Sequence, residues 1–388
     1  MIFSRKTLPP PNKQYSSSSP SGSIDFQFRL LYAIAIVFVV AGHAGNGGVN
    51  ILFDWFTPYA FHLGIFAFGS GYFYKVVNAD KQFDYLKRKV LRLIVPFYLC
   101  NLFYGILVAA LKPFGMAIGA DLSFNSLIIE PLQHGHQFMY NLGTWFVVPL
   151  FVVEIFNNIL HKLLAFLKNH RTWVIFLIYL GLGALSVSLS RHGYNTGWYL
   201  LLARSMFLLP MFGLGMLYRK YRMFDSVNTW IFLFVVMSLQ YLLLLYYRGP
   251  VGNDIAWMRG FRGGVLLPFC LEFLGIFFWL RVCAVLTPIA EKSKAVALVG
   301  AHTFEIMTHH LLAMVLVKAA CAIVTLWLPI NFNFHEFTHN IWYYYCPKGI
   351  WQTHFFYAAA GVTLPILYVM LKKRLLTVIS NRKIRASS

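Results

Sequence analysis

Ten apolar runs, all but the ninth near the roughly 20 residues an α-helix needs to cross 30 Å of hydrocarbon, occupy most of this chain. They fall at 30–46, 57–76, 93–111, 144–160, 172–190, 197–218, 229–247, 262–286, 296–328 and 355–371, bounded by charges and by Gly, Pro or Asn. Lipid offers no partner for backbone N–H and C=O groups, so runs of this length are read as helices. An all-α polytopic membrane bundle of about ten transmembrane helices follows. The ninth run exceeds one straight span, so it is expected to tilt or to continue as helix past the membrane edge to Pro329.

Spans and short loops use up the 388 residues, leaving one membrane domain at 24–375. Residues 7–23 (TLPPPNKQYSSSSPSGS) hold almost nothing apolar, so 1–23 read as a disordered cytoplasmic tail, and 376–388 as a basic cytoplasmic tail. The first span follows a long tail and no small-residue cleavage pattern comes after it, so it is read as retained rather than as a cleavable signal.

With 59% hydrophobic and 12% charged residues, the chain needs lipid as part of its solvent. A net charge of +20 invites a nucleic-acid reading, but the basic residues gather in every second loop. That set comprises Arg5, Lys6, Lys13 and Arg29; Lys75, Lys81, Lys87, Arg88, Lys89 and Arg92; Lys162, Lys168 and Arg171; Arg219, Lys220 and Arg222; Arg281, Lys292 and Lys294; and the C-terminal group from Lys372 to Arg385. It holds 25 of the 33 basic residues, which by the positive-inside rule places both termini in the cytoplasm and excludes nucleic acid as the partner. The loop after the seventh run departs from this scheme: Arg248, Arg259 and Arg262 make an outer loop basic, so they serve a site or the hairpin is misdrawn. Five cysteines show no paired metal or redox spacing.

Polar groups within the runs are few, and each is by default a hint of a site because lipid does not tolerate it idly. They are His43, His62, Glu154, Arg204, Glu272, Glu305, His309, His310 and Lys318. A lone membrane histidine is just as readily a neutral imidazole satisfied by a neighbouring carbonyl or hydroxyl, the competing reading for His62 and His309. Glu305 and His309 stand four apart, so one face of the ninth run carries several titratable groups; interhelical hydrogen bonding is the alternative for Glu305.

Five segments in order carry a family resemblance. RLLYAIAIVFVVAGHAG at 29–45 resembles the first helix of acyltransferase-3 proteins, which ends in a histidine followed by small residues, here His43. FHLGIFAFGSGYFYK at 61–75 is similar to the family's Phe-His-Met-Pro-Leu-Phe-Phe-Phe-x-Ser-Gly-Tyr run, notably in its fucose-O-acetylase-like branch, with Ser70, Gly71 and Tyr72 matching. YLKRKVLRLIVPFYL at 85–99 resembles the basic entry to the third helix, and LGTWFVVPLFVVEIF at 142–156 the Leu-Trp-Phe-Leu segment. GAHTFEIMTHH at 300–310 is similar to the late run that ends in histidine, here His310. Two departures stand out: Tyr32 occupies the position eleven before His43 where many members carry Arg, with Arg29 one turn earlier, and Lys89 replaces the first arginine of the family's Arg-x-x-Arg.

The resemblance implies a membrane O-acyltransferase of the plasma (inner) membrane that moves an acyl group, expected to be acetyl, from cytoplasmic acyl-CoA (acetyl-CoA) to a hydroxyl of a cell-surface or exported glycan. Such chemistry needs a base for the hydroxyl proton, and neutral histidine suits it. His43 is the expected base, with His310, Glu154 and Ser70 as further catalytic candidates. Arg88, Lys89, Arg92 and Arg29 are expected to hold the donor's phosphates; simple positive-inside anchoring explains the same cluster. His62, Trp145 and Arg204 are assigned to the acceptor, and Ser70, Arg204 or amides around Gly69 to Gly71 to the oxyanion. No metal is expected. From Arg29 to His43 a helix rises about 21 Å, so the donor's arm has to thread into the bundle. Aromatics at Trp342 to Tyr345, Trp351, Trp198 and Tyr199 fit a glycan-stacking surface or an interfacial belt.

A rival motif is HEFTH at 335–339, which fits the zinc signature H-E-x-x-H and keeps a membrane zinc metalloprotease as an alternative, with His354 as the nearest third ligand. The run lies among Asn331, Asn333 and Asn340 rather than in a clear helical pattern. A transporter is the non-enzymatic alternative, without an inverted repeat to support it.

Overall fold

The computed structural model describes residues 26–45, 58–167, 171–249, 251–325, 327–328 and 331–387; the tail at 1–23 lies outside them. Fourteen α-helices follow in order: α1 Phe26–His43, α2 Gly64–Phe73, α3 Gln82–Lys89, α4 Val95–Leu111, α5 Glu130–Gln133, α6 Val147–Phe166, α7 Thr172–Arg191, α8 Gly197–Tyr221, α9 Thr229–Tyr247, α10 Leu267–Ala290, α11 Lys294–Ala301, α12 Thr303–Val324, α13 Phe334–His339 and α14 His354–Ser387. Among the described residues the only β pairing is an isolated bridge between Asp254 and Arg259. Among the described residues, nine helical stretches are long and apolar enough to cross a membrane. The remaining apolar run, the second at 57–76, forms a short helix of a different kind.

That helix is α2, ten residues and about 15 Å long, preceded by helical turns from Pro58. It survives as a buried wedge because small residues let it touch α8 backbone to backbone. A Cβ on Gly71 meets the Phe212 carbonyl oxygen at 1.9 Å, and one on Gly215 meets the Phe68 carbonyl oxygen at 2.0 Å, so both contacts require glycine. Arg219 of α8 donates to the Tyr74 carbonyl at 2.6 Å and closes the C-terminal end of α2. On its other side Phe28 of α1 stacks on Tyr72 with ring centroids 4.2 Å apart.

Helix α8 is buried along nearly its whole length, whereas α9 presents Trp230, Phe234, Leu242 and Tyr246 outward, as a lipid-facing helix does. The ninth run does not continue as one tilted helix. It breaks at His302, whose φ of −119° and ψ of 32° leave the helical region, into α11 and α12. The break accompanies a close crossing: a Cβ on Gly300 meets the Arg29 carbonyl oxygen at 2.3 Å, so α11 lies directly on the start of α1. Between α3 and α4, Val90–Ile94 forms a π-turn that carries Arg92 and joins the two into one stretch from Gln82 to Phe114. In the arginine-rich loop after α9, Arg259 has local partners: its Nε lies 3.8 Å from Asp254 and its guanidinium 5.2 Å over the Trp257 ring.

Candidate active site

Helix α1 ends at His43, and α12 brings His310 against it. His43 Nδ1 and His310 Nε2 are 2.8 Å apart, with the rings stacked at a centroid distance of 5.0 Å. On its other side His310 Nδ1 lies 2.8 Å from the Met307 carbonyl and 3.1 Å from that of Ile306. Carbonyl oxygens only accept, so Nδ1 of His310 carries the proton and its Nε2 is a lone pair. His43 Nδ1 must then be the donor between the rings. The remaining nitrogen, His43 Nε2, is left as the free base of the pair.

The close stacking depends on Gly143, where a Cβ meets the Met307 carbonyl oxygen at 2.8 Å and His310 Cε1 at 3.1 Å. Around His43, Tyr59 donates to the Gly42 carbonyl at 2.8 Å, and its ring meets that of His62 edge-on at 5.3 Å. His62 and His136 both lie within electrostatic reach of His43. The Tyr344 hydroxyl donates to the His43 carbonyl, and the Trp342 ring lies 5.7 Å from the imidazole. The ends of the 29–45 and 300–310 segments thus meet at one point, with His62 beside them.

A second group gathers nearer the start of α1. A cavity of about 780 Å³ is lined by Tyr32, Ser70, Tyr74, Lys75, Lys81, Tyr85, Arg88, Lys89, Arg92 and Glu154 among others. This lies within the size range of ligand pockets. Glu154 is 6% exposed, and Lys89 Nζ sits 2.6 Å from its Oε2. Lys89 is therefore committed to a buried partner, whereas Arg88 and Arg92 stay exposed at the mouth. Tyr32, which takes the place of the family's arginine, fits here because Gly69 leaves room: a Cβ there meets the Tyr32 hydroxyl at 1.9 Å. Arg29 does not line the cavity; it packs on Gly300 of α11. Neither His43 nor His310 lines it either, and eleven residues of α1 separate Tyr32 from His43, a rise of about 16 Å.

Trp145 and Arg204 also come together, with the guanidinium 4.3 Å over the indole. Arg204 is 1% exposed and spends its donors on backbone: Nε reaches the Ala256 carbonyl at 3.0 Å, and both terminal nitrogens reach the His134 carbonyl at 3.2 Å. Arg204 thereby clamps the loops that carry His134 and Ala256. The amides of Gly69 to Gly71 lie inside α2, where helical bonding uses them. His309 is satisfied by Tyr104, whose hydroxyl lies 2.7 Å from Nδ1.

Some participants were not singled out from sequence. Lys75, Lys81, Tyr74 and Tyr85 join the cavity, although the two lysines were visible only as part of a basic loop. His136 stacks on Trp257 at 4.6 Å, and burial, with Arg204 and His134 alongside, pushes it down to about 3. The HEFTH run does form a helix, α13, on which the His335 and His339 rings stack at 4.3 Å. Glu336 faces Asn340 instead, accepting from its side-chain amide at 2.9 Å. Among the described residues no group of three His, Cys, Asp or Glu is placed to hold a metal ion.

A family model described as an acyltransferase domain, acyltransferase-3, matches residues 27–320. No curated protein and no solved structure matches the chain.

Proposed function

The chain belongs to the acyltransferase-3 family, and from that premise we propose that this multi-pass membrane acyltransferase moves an acetyl group from acetyl-CoA to a hydroxyl of a cell-surface or exported glycan. Family membership favours the transferase over the protease and transporter alternatives. The observation that carries the mechanism is the hydrogen-bond order through His310 to His43, which leaves His43 Nε2 as a lone pair at the end of α1.

In this reading the acceptor hydroxyl approaches His43 Nε2, which takes its proton while the oxygen forms a bond to the thioester carbonyl carbon. Collapse of the tetrahedral intermediate breaks the carbon–sulfur bond, and the thiolate of coenzyme A takes the proton back from His43. His310 keeps the imidazole in the tautomer that can act and spreads the charge when it forms. The cavity beside Tyr32 would hold the donor on the cytoplasmic face, with both chain termini on that side. Lys89 neutralises Glu154, so Lys75, Lys81, Arg88 and Arg92 are left to meet the phosphates. The acyl end would then run about 16 Å along α1, past Ser70 and Tyr32, to reach His43. His62 would contact the acceptor, and Trp145 with Arg204 would hold the loops beside it; the edge-on packing of His62 on Tyr59 and the Arg204–Trp145 stack support this reading. Residues 24–375 make up the catalytic domain in this account.

Mass spectrometry of surface glycans from cells with and without the gene tests the reading. Acetyl groups present with the gene and missing without it are the expected result. Identical glycans, with acetyl-CoA unchanged by the purified protein, would remove it.

A further inference from the structure

Lysine inside a membrane span is costly unless it finds strong partners, and the usual one is a carboxylate. Lys318 of α12 is 2% exposed and has none among the described residues. Its ammonium is spent on one short segment instead: Nζ donates to the Ile341 carbonyl at 2.5 Å and lies 4.2 Å from the centre of the Tyr344 ring. These two contacts grip residues three apart in a stretch without helix, between α13 and the turn at Pro347–Gly349.

The gripped stretch lies across the end of α1. Tyr344 hands its hydroxyl to the His43 carbonyl, packs on Tyr357 at 4.9 Å and lies 3.4 Å from Met314 Sδ. Trp342, between the two anchors, places its ring 5.7 Å from His43 at a tilt of 41°. A second hold comes from the HEFTH helix: Glu336 fixes the Asn340 amide, and Asn340 Oδ1 accepts from the Trp342 backbone N–H at 2.9 Å. The motif therefore acts as a brace for this stretch.

We propose that Lys318 is a positioning residue for acyl transfer: by fixing residues 340–345 as a strap, it holds Trp342 as a wall beside His43 and fixes the backbone from which His43 projects. This rests on the reading of His43 as the base. Releasing Lys318 loosens the strap, and misplacement of reacting groups by about 1 Å can cost on the order of 100-fold in rate.

The test uses the full-length chain in detergent, as wild type, Lys318→Met, Tyr344→Phe and His43→Ala. Diethyl pyrocarbonate labels histidines, and peptide mass spectrometry reads the rate at His43 against that at His309, which Tyr104 covers. Lys318→Met is expected to speed labelling at His43 about fivefold or more with His309 unchanged, and to cut turnover per folded chain about 10- to 100-fold at unchanged acetyl-CoA affinity. Tyr344→Phe removes only the hydroxyl and should move both readouts the same way by a smaller factor. It decides the matter if Lys318→Met does not accumulate. Wild-type labelling and turnover in these variants, with His43→Ala inactive, overturn the positioning role alone. Full turnover in His43→Ala overturns the base reading and this proposal together.

Discussion

The two ends of α1 use polar groups in opposite ways. At the His43 end they are locked into one another: His310 is tied to two carbonyls, His43 to His310, and Tyr344 to the His43 backbone. At the Tyr32 level the cavity keeps Arg88 and Arg92 exposed and without a carboxylate partner among the described residues, and only Lys89 is committed, to Glu154. The first arrangement fixes a tautomer, which suits proton transfer. The second leaves long cationic side chains free to adapt, which suits a flexible polyanion. In the proposed mechanism, chemistry and donor capture would thereby be separated along one helix.

The largest expected effect lies at the locked end. His43→Ala and His43→Gln should each lower turnover about 10²- to 10⁴-fold while leaving acetyl-CoA affinity, read by calorimetry in detergent, at the wild-type value. Equal loss of affinity would merge the two regions into one. At the adaptable end the pattern should invert. Arg88→Gln combined with Arg92→Gln is expected to weaken acetyl-CoA binding about tenfold, less at high salt, with turnover at saturating donor unchanged. Unaltered affinity would return these arginines to a purely topological role.

How much of this contrast could be read from sequence depends on what each part requires. The helices were legible because lipid imposes length and internal bonding on every span, and nine of the ten runs became long apolar helices. The close seat of α2 on α8 was not, because it depends on reciprocal glycine contacts between Gly71 and α8 and between Gly215 and α2, which no local pattern announces. His43 and His310 could be named from their segments, but their 2.8 Å contact joins residues 267 apart in the chain. Arg204 looked like a site residue because a buried charge is rare; only its loop carbonyl partners reveal a clamp. The strap at 340–345 gave no sign beyond its aromatics, since Lys318 acts on it from another helix.

Smaller effects sharpen the comparison further at the HEFTH helix and at His136. His335→Ala with His339→Ala should keep transfer within a few fold of wild type, because both rings are exposed and the brace runs through Glu336. Stoichiometric zinc together with complete loss of activity would instead make the site metal-dependent. The smallest effect concerns acid stability. His136 is held near 3 in the folded chain against 6.5 when free, so the unfolded state binds its proton first and stability falls as pH drops from about 6.5 towards 3. His136→Gln should flatten the decline in melting temperature across that window; an unchanged slope would show that His136 does not feel the burial and Arg204 charge assigned to it.

The central claim is that His43 and His310 form one relay with Nε2 of His43 as its working end. A double-mutant cycle on turnover per folded chain tests it most directly. If the pair is one unit, His310→Ala costs about 10- to 100-fold alone, and adding it to His43→Ala costs nothing more. Losses that multiply in the double variant would contradict the relay and leave two histidines acting independently.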